Sequence, residues 1–600
     1  MDRNTFTGLF LIMIILAGAF YFNKPSEVEL KKVQEQERLD SLAKAGQKPA
    51  VKDTATNVAI NPALDSAKLA GPFGSAITGS AENTILENEK LKITLSNKGG
   101  KITSVEVKGQ KSYSGKPVVL FTEDKTKFGL NLNVAGKTVN TNDLFFTASK
   151  NENAVTMRAN YGANEYVEYV YNLKAGQNKV DFNINLVGMQ QVIAGNTVGL
   201  NWETTLHQQE KSLESEHRYS APYYKYVDGD VNNLSVSNDE KEELTKGKIE
   251  WVSFKQHFFS ASLISKQGFD KGSLEVKVPT DTGLVKTYAA QMQLPYTATA
   301  NQNYAMEFYF GTNKFSELKA QGFDLEKQVD MGYWPLKYIN RFIVLPVFNF
   351  LNSFGWNYGL IILVLTILLK LALSPLTYKS YLSMAKMRVL KPEMDEIKAK
   401  IGDDNPTLLQ QENLKLYKKA GVNPLGGCLP MLLQLPLVMA FFFFFPNLFE
   451  LRQESFLWMK DLSTYDEFVK FGFKIPFIGD HLSLMCLLMT ASTLVQTYYN
   501  NQVSGATGQM KYIGYIMPII FLGVLNSYPS GLNYYYFLAN LMTFGQQFII
   551  RKMVDDDKIH ALIQQNKARP EDEKKKKSKF QQRLDDYMRQ QQQAQVKGKK

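Results

Sequence analysis

Lys370 stands in an otherwise lipid-soluble stretch, residues 360–373, on one helical stripe with Thr366, Ser374 and Thr377. An ammonium at bilayer depth costs about 2.5–3.5 kcal/mol on insertion scales, so it either faces a wet cavity or a partner, or snorkels toward the polar end of its helix. Asn533, Tyr536, Asn540, Thr543 and Gln547 form a second stripe at helical spacing, and Thr490, Thr493 and Thr497 a third. Gln434 adds a polar group between Pro430 and Pro436. Single hydroxyls and amides of this kind commonly bond helix to helix. A cation together with several stripes points instead to a membrane protein with a polar interior.

Other chemistry finds little support. Gly136-Lys137-Thr138 has the look of a phosphate loop, but the preceding glycine, Gly129, is at the wrong spacing, and Leu130, Leu132 and Val134 read as strand and turn. The histidines, at 207, 217, 257, 481 and 560, make no HExxH pair, and no nucleophile elbow has a supporting context. Cys428 and Cys486 lie inside apolar segments, which fits packing rather than a disulfide or a metal site. No enzyme activity, cofactor or metal is expected. Work must then come from differential solvation, a membrane potential or a partner.

The elements that would position these groups fall into two unlike halves of a 600-residue chain with formal charge +11. Residues 1–22 read as a transmembrane anchor, with Ala17-Gly18-Ala19 keeping a cleaved signal in competition; the following segment is exported in either case. Residues 23–82 are charged and poor in large apolar side chains, a flexible tether. From 83 to 325 the period is two, as in Val180, Phe182, Ile184 and Leu186, which predicts an all-β sandwich. Aromatics at Tyr333, Trp334, Tyr338, Trp356 and Tyr358 flank an amphipathic stretch, so residues 330–352 are expected to lie along the membrane surface.

Spans are expected near 358–376, 428–445, 481–499, 512–525 and 531–550. With the first anchor they make about six, and residues 356–552 form the helical membrane core. The segment 379–423 is rich in Lys and Arg, whereas 447–480 carries more acids than bases. Positive-inside placement puts the first in the cytoplasm and the second outside, with both termini cytoplasmic and the β-domain outside. Within 379–423, Met384, Met387, Leu390, Met394, Ile397 and Ile401 recur at helical spacing, Pro392 should restart the helix, and 402–406 breaks it. A projecting helical hairpin with a methionine face follows. The segment 512–525 has about 14 residues, some 21 Å against a hydrocarbon core of ~30 Å. Residues 553–600 form a basic tail, with Lys574 to Lys577 in a run that suits ribosomal RNA or anionic lipid.

Three groups of motifs carry a resemblance. Ser383-Met384-Ala385-Lys386-Met387-Arg388, then Val422-Asn423-Pro424-Leu425-Gly426-Gly427-Cys428 through Gln434 and Pro436, then Pro529-Ser530-Gly531-Leu532 with Asn540-Leu541 and Gln546-Gln547, resemble the Oxa/YidC family of membrane protein insertases. The architecture resembles its Gram-negative form, with a large periplasmic domain and a five-helix core. The resemblance implies a groove open to cytoplasm and lipid, closed on the periplasmic side, with a cation near its middle. That cation, usually arginine, falls on Lys370. Thr366, Gln434, Tyr535 and Tyr536 fall on groove or client-contacting positions, and Met384, Met387 and Met394 on the hairpin that meets the client. Lysine, unlike arginine, can lose its proton when desolvated, and a wet groove is expected to keep it charged. The β-domain resembles a supersandwich of the sugar-mutarotase type, which by itself does not fix a function.

Implied partners are nascent membrane proteins, the Sec translocon, the ribosome and membrane lipids, at the bacterial inner membrane. Two other classes compete. A solute transporter or channel predicts repeated halves, and the chain has no such internal repeat. A membrane-anchored carbohydrate-binding protein leaves Lys370 and the stripes without a role.

Overall fold

The structure, a computed structural model, describes residues 72–281, 283–402, 406–422, 429–504 and 509–568. The anchor 1–22, most of the tether, Cys428 and the basic run after residue 568 lie outside the described residues.

Strict alternation builds the β-domain. In Lys179–Val187 every second residue is buried, Val180, Phe182, Ile184 and Leu186 at 0% exposure. Burial of such a side chain contributes roughly 1.5–3 kcal/mol. This strand is central to a nine-stranded sheet, paired on one side with Asn301–Thr312 and on the other with Tyr166–Leu173, both antiparallel. A six-stranded sheet, with Thr197–His207 between Leu284–Pro295 and Thr126–Val134, packs against it. Trp202 from one stacks on Phe254 from the other, ring centroids 3.9 Å apart. A four-stranded sheet, Asn83 to Val119, closes the same core. The boundary expected at residue 83 moves outward: Phe73 is 1% exposed and meets Tyr161 edge-on, so the tether ends before it. Lys137–Asn140 is a hairpin strand, as its flanking residues implied.

Residues 336–352 form one broken helix, Leu336–Ile339, a π turn over Asn340–Val344, and Leu345–Asn352. Asn340 explains the local geometry, since its buried amide donates to the carbonyls of Met331 and Ala440. Phe342 and Phe350 on the other face are exposed.

Among the described residues eight helices follow, α1 to α8: Tyr358–Val389, Lys391–Ile401, Pro406–Ala420, Leu429–Asn447, Leu484–Ser504, Gln509–Leu525, Ser530–Met553 and Asp556–Ala568. α1 is a single 32-residue helix that runs on into the expected hairpin, so the hairpin begins as an extension of a span rather than at residue 379. It stops at Leu390, and α2 restarts with Pro392 in its first turn, where a missing N–H costs nothing. The third span starts later than expected, because His481 belongs to a strand, Gly479–Leu482. α6 has 17 residues rather than 14. At about 25 Å it is still shorter than a hydrocarbon core of ~30 Å.

Among the described residues one helix, α1, is long and apolar enough to cross a membrane by length and composition. For α5 and α7 the physical reason lies in the stripes, whereas α4 and α6 are apolar but short over their described residues. α5 carries Thr490, Thr493, Gln496 and Asn500, and α7 carries Asn533, Asn540, Gln546 and Gln547, which lowers the mean hydropathy of both.

Two polar joints tie the β-domain and the loop between α4 and α5 to these helices. Arg452, after α4, donates from Nε to Glu210 Oε1 at 2.8 Å, both side chains being buried. It also lies 4.9 Å from the Phe259 ring. Beside it Glu216 is fully buried and accepts from the backbone of Gln209 and Glu210 and from the Gln256 amide. His257 meets the Pro446 carbonyl through Nε2 at 2.7 Å, and burial holds its ring neutral, down to about 3. The second joint is Asn526, just past α6, whose amide donates to Ile478 and His481 carbonyls and accepts from Ser483 N–H.

Candidate functional site

Apolar helices bury a polar group only where another element answers it, and α1, α4, α5 and α7 do so around one cavity of about 130 Å³. That volume holds several waters. Lys370, Gln434, Gln496, Tyr535, Tyr536, Asn540 and Thr543 line it, with Leu369, Leu373, Leu437, Val438 and Ala539.

The Lys370 stem does not snorkel along its own helix. Nζ crosses to α7 and donates to Thr543 Oγ1 at 2.9 Å, while Gln546 Nε2 donates to the Lys370 carbonyl at 2.9 Å. α1 and α7 are thereby joined by a side chain and by backbone at one level. Tyr536 donates its hydroxyl to the Val438 carbonyl at 3.0 Å. Pro436, Val438 and their neighbours lie on α4, so a proline-containing helix supplies an acceptor to the cavity wall. Tyr535 is buried against Phe441, centroids 4.3 Å apart, and forms the wall toward the aromatic core. Gln434 lines the space from α4.

Thr366 stands apart from this group. It is fully buried, its hydroxyl donates to the Ile362 carbonyl at 2.7 Å, and it is not part of the cavity wall. A threonine one turn from Lys370 satisfies itself within the helix, which the spacing alone could not reveal. Thr490 and Thr493 likewise donate to carbonyls four residues back. Thr493 and Ser492 then accept from Asn540 Nδ2, both at 2.9 Å, a bond between α5 and α7. Gln547 reaches Asn500 in the same way at 3.1 Å. Part of the stripe pattern is therefore helix-to-helix bonding, and part lines the cavity. Gln496 was missed among the candidate residues, although it follows Thr493 by three positions and shares its face.

The methionine face is also divided. Met394 Sδ accepts from the Tyr417 hydroxyl at 3.2 Å across the α2–α3 hairpin. Met387 packs against a cluster that includes Leu390, Ala420, Ile559 and Ile563. The last two come from α8, so residues 556–568 dock on the hairpin and are not part of a free tail. Arg388 pairs with both oxygens of Asp556 at 2.7 and 2.8 Å, and Lys567 with Glu393 at 2.6 Å. Met384 is half-buried on α1, outside that cluster.

An all-β domain followed by helices that enclose a cation-bearing polar cavity fits a membrane protein with a polar interior. Comparison with known proteins supports this class throughout the chain. Residues 84–349 match the family described as YidC periplasmic domain, and residues 349–558 the family described as 60Kd inner membrane protein. The membrane protein insertase YidC of Parabacteroides distasonis is 38% identical, over 99% of this chain and 98% of its own. That of Bacteroides fragilis is 39% identical over the same shares. A solved structure of an active YidC insertase with its first transmembrane domain resolved is 19% identical, covering 78% of this chain and 93% of its own, with a TM-score of 0.33.

The chain belongs to the YidC family of membrane protein insertases. It is an inner-membrane protein with a periplasmic domain, and it inserts nascent membrane proteins without enzymatic chemistry. Full-length kinship favours this over a solute channel or a carbohydrate-binding protein.

Proposed function

We propose that the cavity around Lys370 is where the polar flank of a client enters the bilayer. The observation that carries this reading is the ammonium turned into a polar-walled space, where its hydrogen-bond partner is a neutral hydroxyl. A client carboxylate passing Lys370 gains a charge-assisted bond that Thr543 does not supply, and its backbone gains Gln434, Gln496 and Asn540 as partners. Part-way hydration lowers the desolvation barrier, and burial of about 20 apolar client residues in lipid drives the step without nucleotide. The short α6 shortens the path by thinning the bilayer beside it.

The surrounding topology follows the loop charges: six spans including residues 1–22, a tether, a periplasmic domain reaching residue 325, an interfacial helix at 330–352, a core over 356–552, and both termini cytoplasmic. The hairpin that begins on α1 receives clients in the cytoplasm through Met384, while Met387 and Met394 hold its shape. The basic residues after 568 serve the ribosome, and the Sec translocon is a further partner.

Crosslinking from photoreactive residues at Gln434 and Tyr536 to a stalled nascent chain tests the reading. Adducts that appear at both sites as the client's first apolar segment emerges support it. Adducts confined to lipid at both sites overturn it.

A further inference from the structure

The loop between α4 and α5 contains an element that the cavity does not use. Val469–Ile475 and Gly479–Leu482 pair antiparallel into a two-stranded hairpin. The register shifts between Lys470 and Ile475, the Phe471 and Phe473 rings lie together with centroids 6.2 Å apart, and Lys470 and Lys474 are exposed. Phe473 is 69% exposed and Phe477, at the turn, 95%. A solvated turn has no reason to hold a phenylalanine at positive φ with its ring bare, yet Phe477 sits at φ 69°.

The hairpin is fixed in place by α6. Asn526 commits its side-chain amide to Ile478, His481 and Ser483, and the Phe477 backbone lies so close to the helix that a Cβ on Gly523 would come within 2.5 Å of the Phe477 carbonyl. This contact joins the bare ring to the exposed face of α6, where Ile516, Ile520 and Val524 follow one another at i, i+4 and i+8, each more than half exposed. The bare ring thus adjoins an apolar helix face, with Lys470 and Lys474 exposed on the same hairpin. Bare aromatic rings, exposed lysines on the same hairpin and a helix shorter than the hydrocarbon core are matched by one surface, a phospholipid leaflet.

We propose that the hairpin Val469–Leu482 is a lipid-binding element: Phe473 and Phe477 enter the outer leaflet beside α6, Lys470 and Lys474 meet lipid phosphates, and the hairpin thereby sets the depth of the short helix. The proposal rests on the outward placement of residues 447–480, and not on any role of the Lys370 cavity.

The test uses the full chain in bilayers of zwitterionic and anionic phospholipid. With Cys428→Ala and Cys486→Ala as background, an environment-sensitive fluorophore is attached at Phe477→Cys and, as control, at Asn151→Cys in an exposed turn of the β-domain. Insertion to a depth of about 5–10 Å gives quenching at 477 by lipids carrying a nitroxide high on the acyl chain, with aqueous iodide ineffective, and the reverse at 151. Equal behaviour at the two positions overturns the proposal. In the otherwise native chain, benzoylphenylalanine at 477 photo-crosslinked in native membranes gives a phospholipid adduct; a protein adduct, or none, overturns it. Lipid contact at 477 together with failed client crosslinks from Tyr536 would leave this inference standing and remove the cavity reading.

Discussion

Lys370 and Thr543 meet at the cavity wall with Nζ 2.9 Å from Oγ1, and the Thr543 hydroxyl itself donates to the Ala539 carbonyl at 2.7 Å. The ammonium therefore meets a lone pair rather than a counter-charge, and a carboxylate entering the cavity is the better partner. A hydrogen bond to a charged group contributes about 1.5–3 kcal/mol, so Lys370→Ala should slow insertion of clients with acidic translocated tails by about tenfold or more. Clients with neutral tails should change far less. Lys370→Arg should retain most of the activity, since the guanidinium keeps the charge. Protease protection of the client tail measures both, and equal loss for acidic and neutral tails would remove the charge from the mechanism.

Arg452 is buried between Glu210 and the Phe259 ring, and it is the main tie between the β-domain and the loop after α4. Truncating one member of a buried ion pair leaves the other uncompensated and costs about 3–5 kcal/mol. Arg452→Ala should lower the unfolding temperature of the full chain accordingly. The double change Arg452→Met with Glu210→Leu should recover much of the loss, because neither charge remains to be desolvated. Thermal unfolding in detergent distinguishes the two. A double variant no better than the single would mean that the pair is held by more than its charges.

The same joint makes stability depend on pH. Burial and the charge of the neighbouring Glu210, which Arg452 pairs, push the Glu216 carboxyl up to about 8, with backbone N–H groups drawing it partly back. A carboxyl whose folded value is raised holds its proton in the fold after the unfolded chain has lost it. The stabilisation is complete below about 4.5 and is lost as pH rises through about 8. The full chain should thus unfold at progressively lower temperature from about pH 5 to about pH 8.5. Glu216→Gln should flatten that slope whatever it does to the absolute value. A slope unchanged by the substitution would assign the dependence to other groups.

Much of this architecture is legible in the order of the residues alone. Alternation in 180–186 marks a buried strand because the period of two has no other use there, and the spacing of Tyr536, Asn540 and Thr543 places them on the wall they do form. Thr366 and Thr490 show the limit of the same reasoning, since a hydroxyl on a stripe can bond its own helix as readily as line a cavity. The Arg452–Glu210 joint spans 242 positions, and no local pattern connects them. The hairpin at 469–482 did carry a signal, Phe471 and Phe473 alternating with Lys470 and Lys474, but a loop weighed for net charge does not yield its period.

The docking of α8 decides which side chains the α1–α3 hairpin leaves uncovered. Ile559 and Ile563 are buried against Leu390, Ala420 and Val422, while the ion pairs around them are partly exposed. Exposed pairs contribute about 0–1 kcal/mol, whereas truncating a buried isoleucine costs about 2–5 kcal/mol. The apolar contact should dominate. Ile563→Asp should release α8 and speed tryptic cleavage after Lys567 by about tenfold or more, while Asp556→Asn should change it only about twofold. Release also uncovers Met387, so the Ile563 variant should gain hairpin crosslinks to nascent chains from that position. Cleavage accelerated equally by both substitutions would make the ion pairs, and not the isoleucines, the latch.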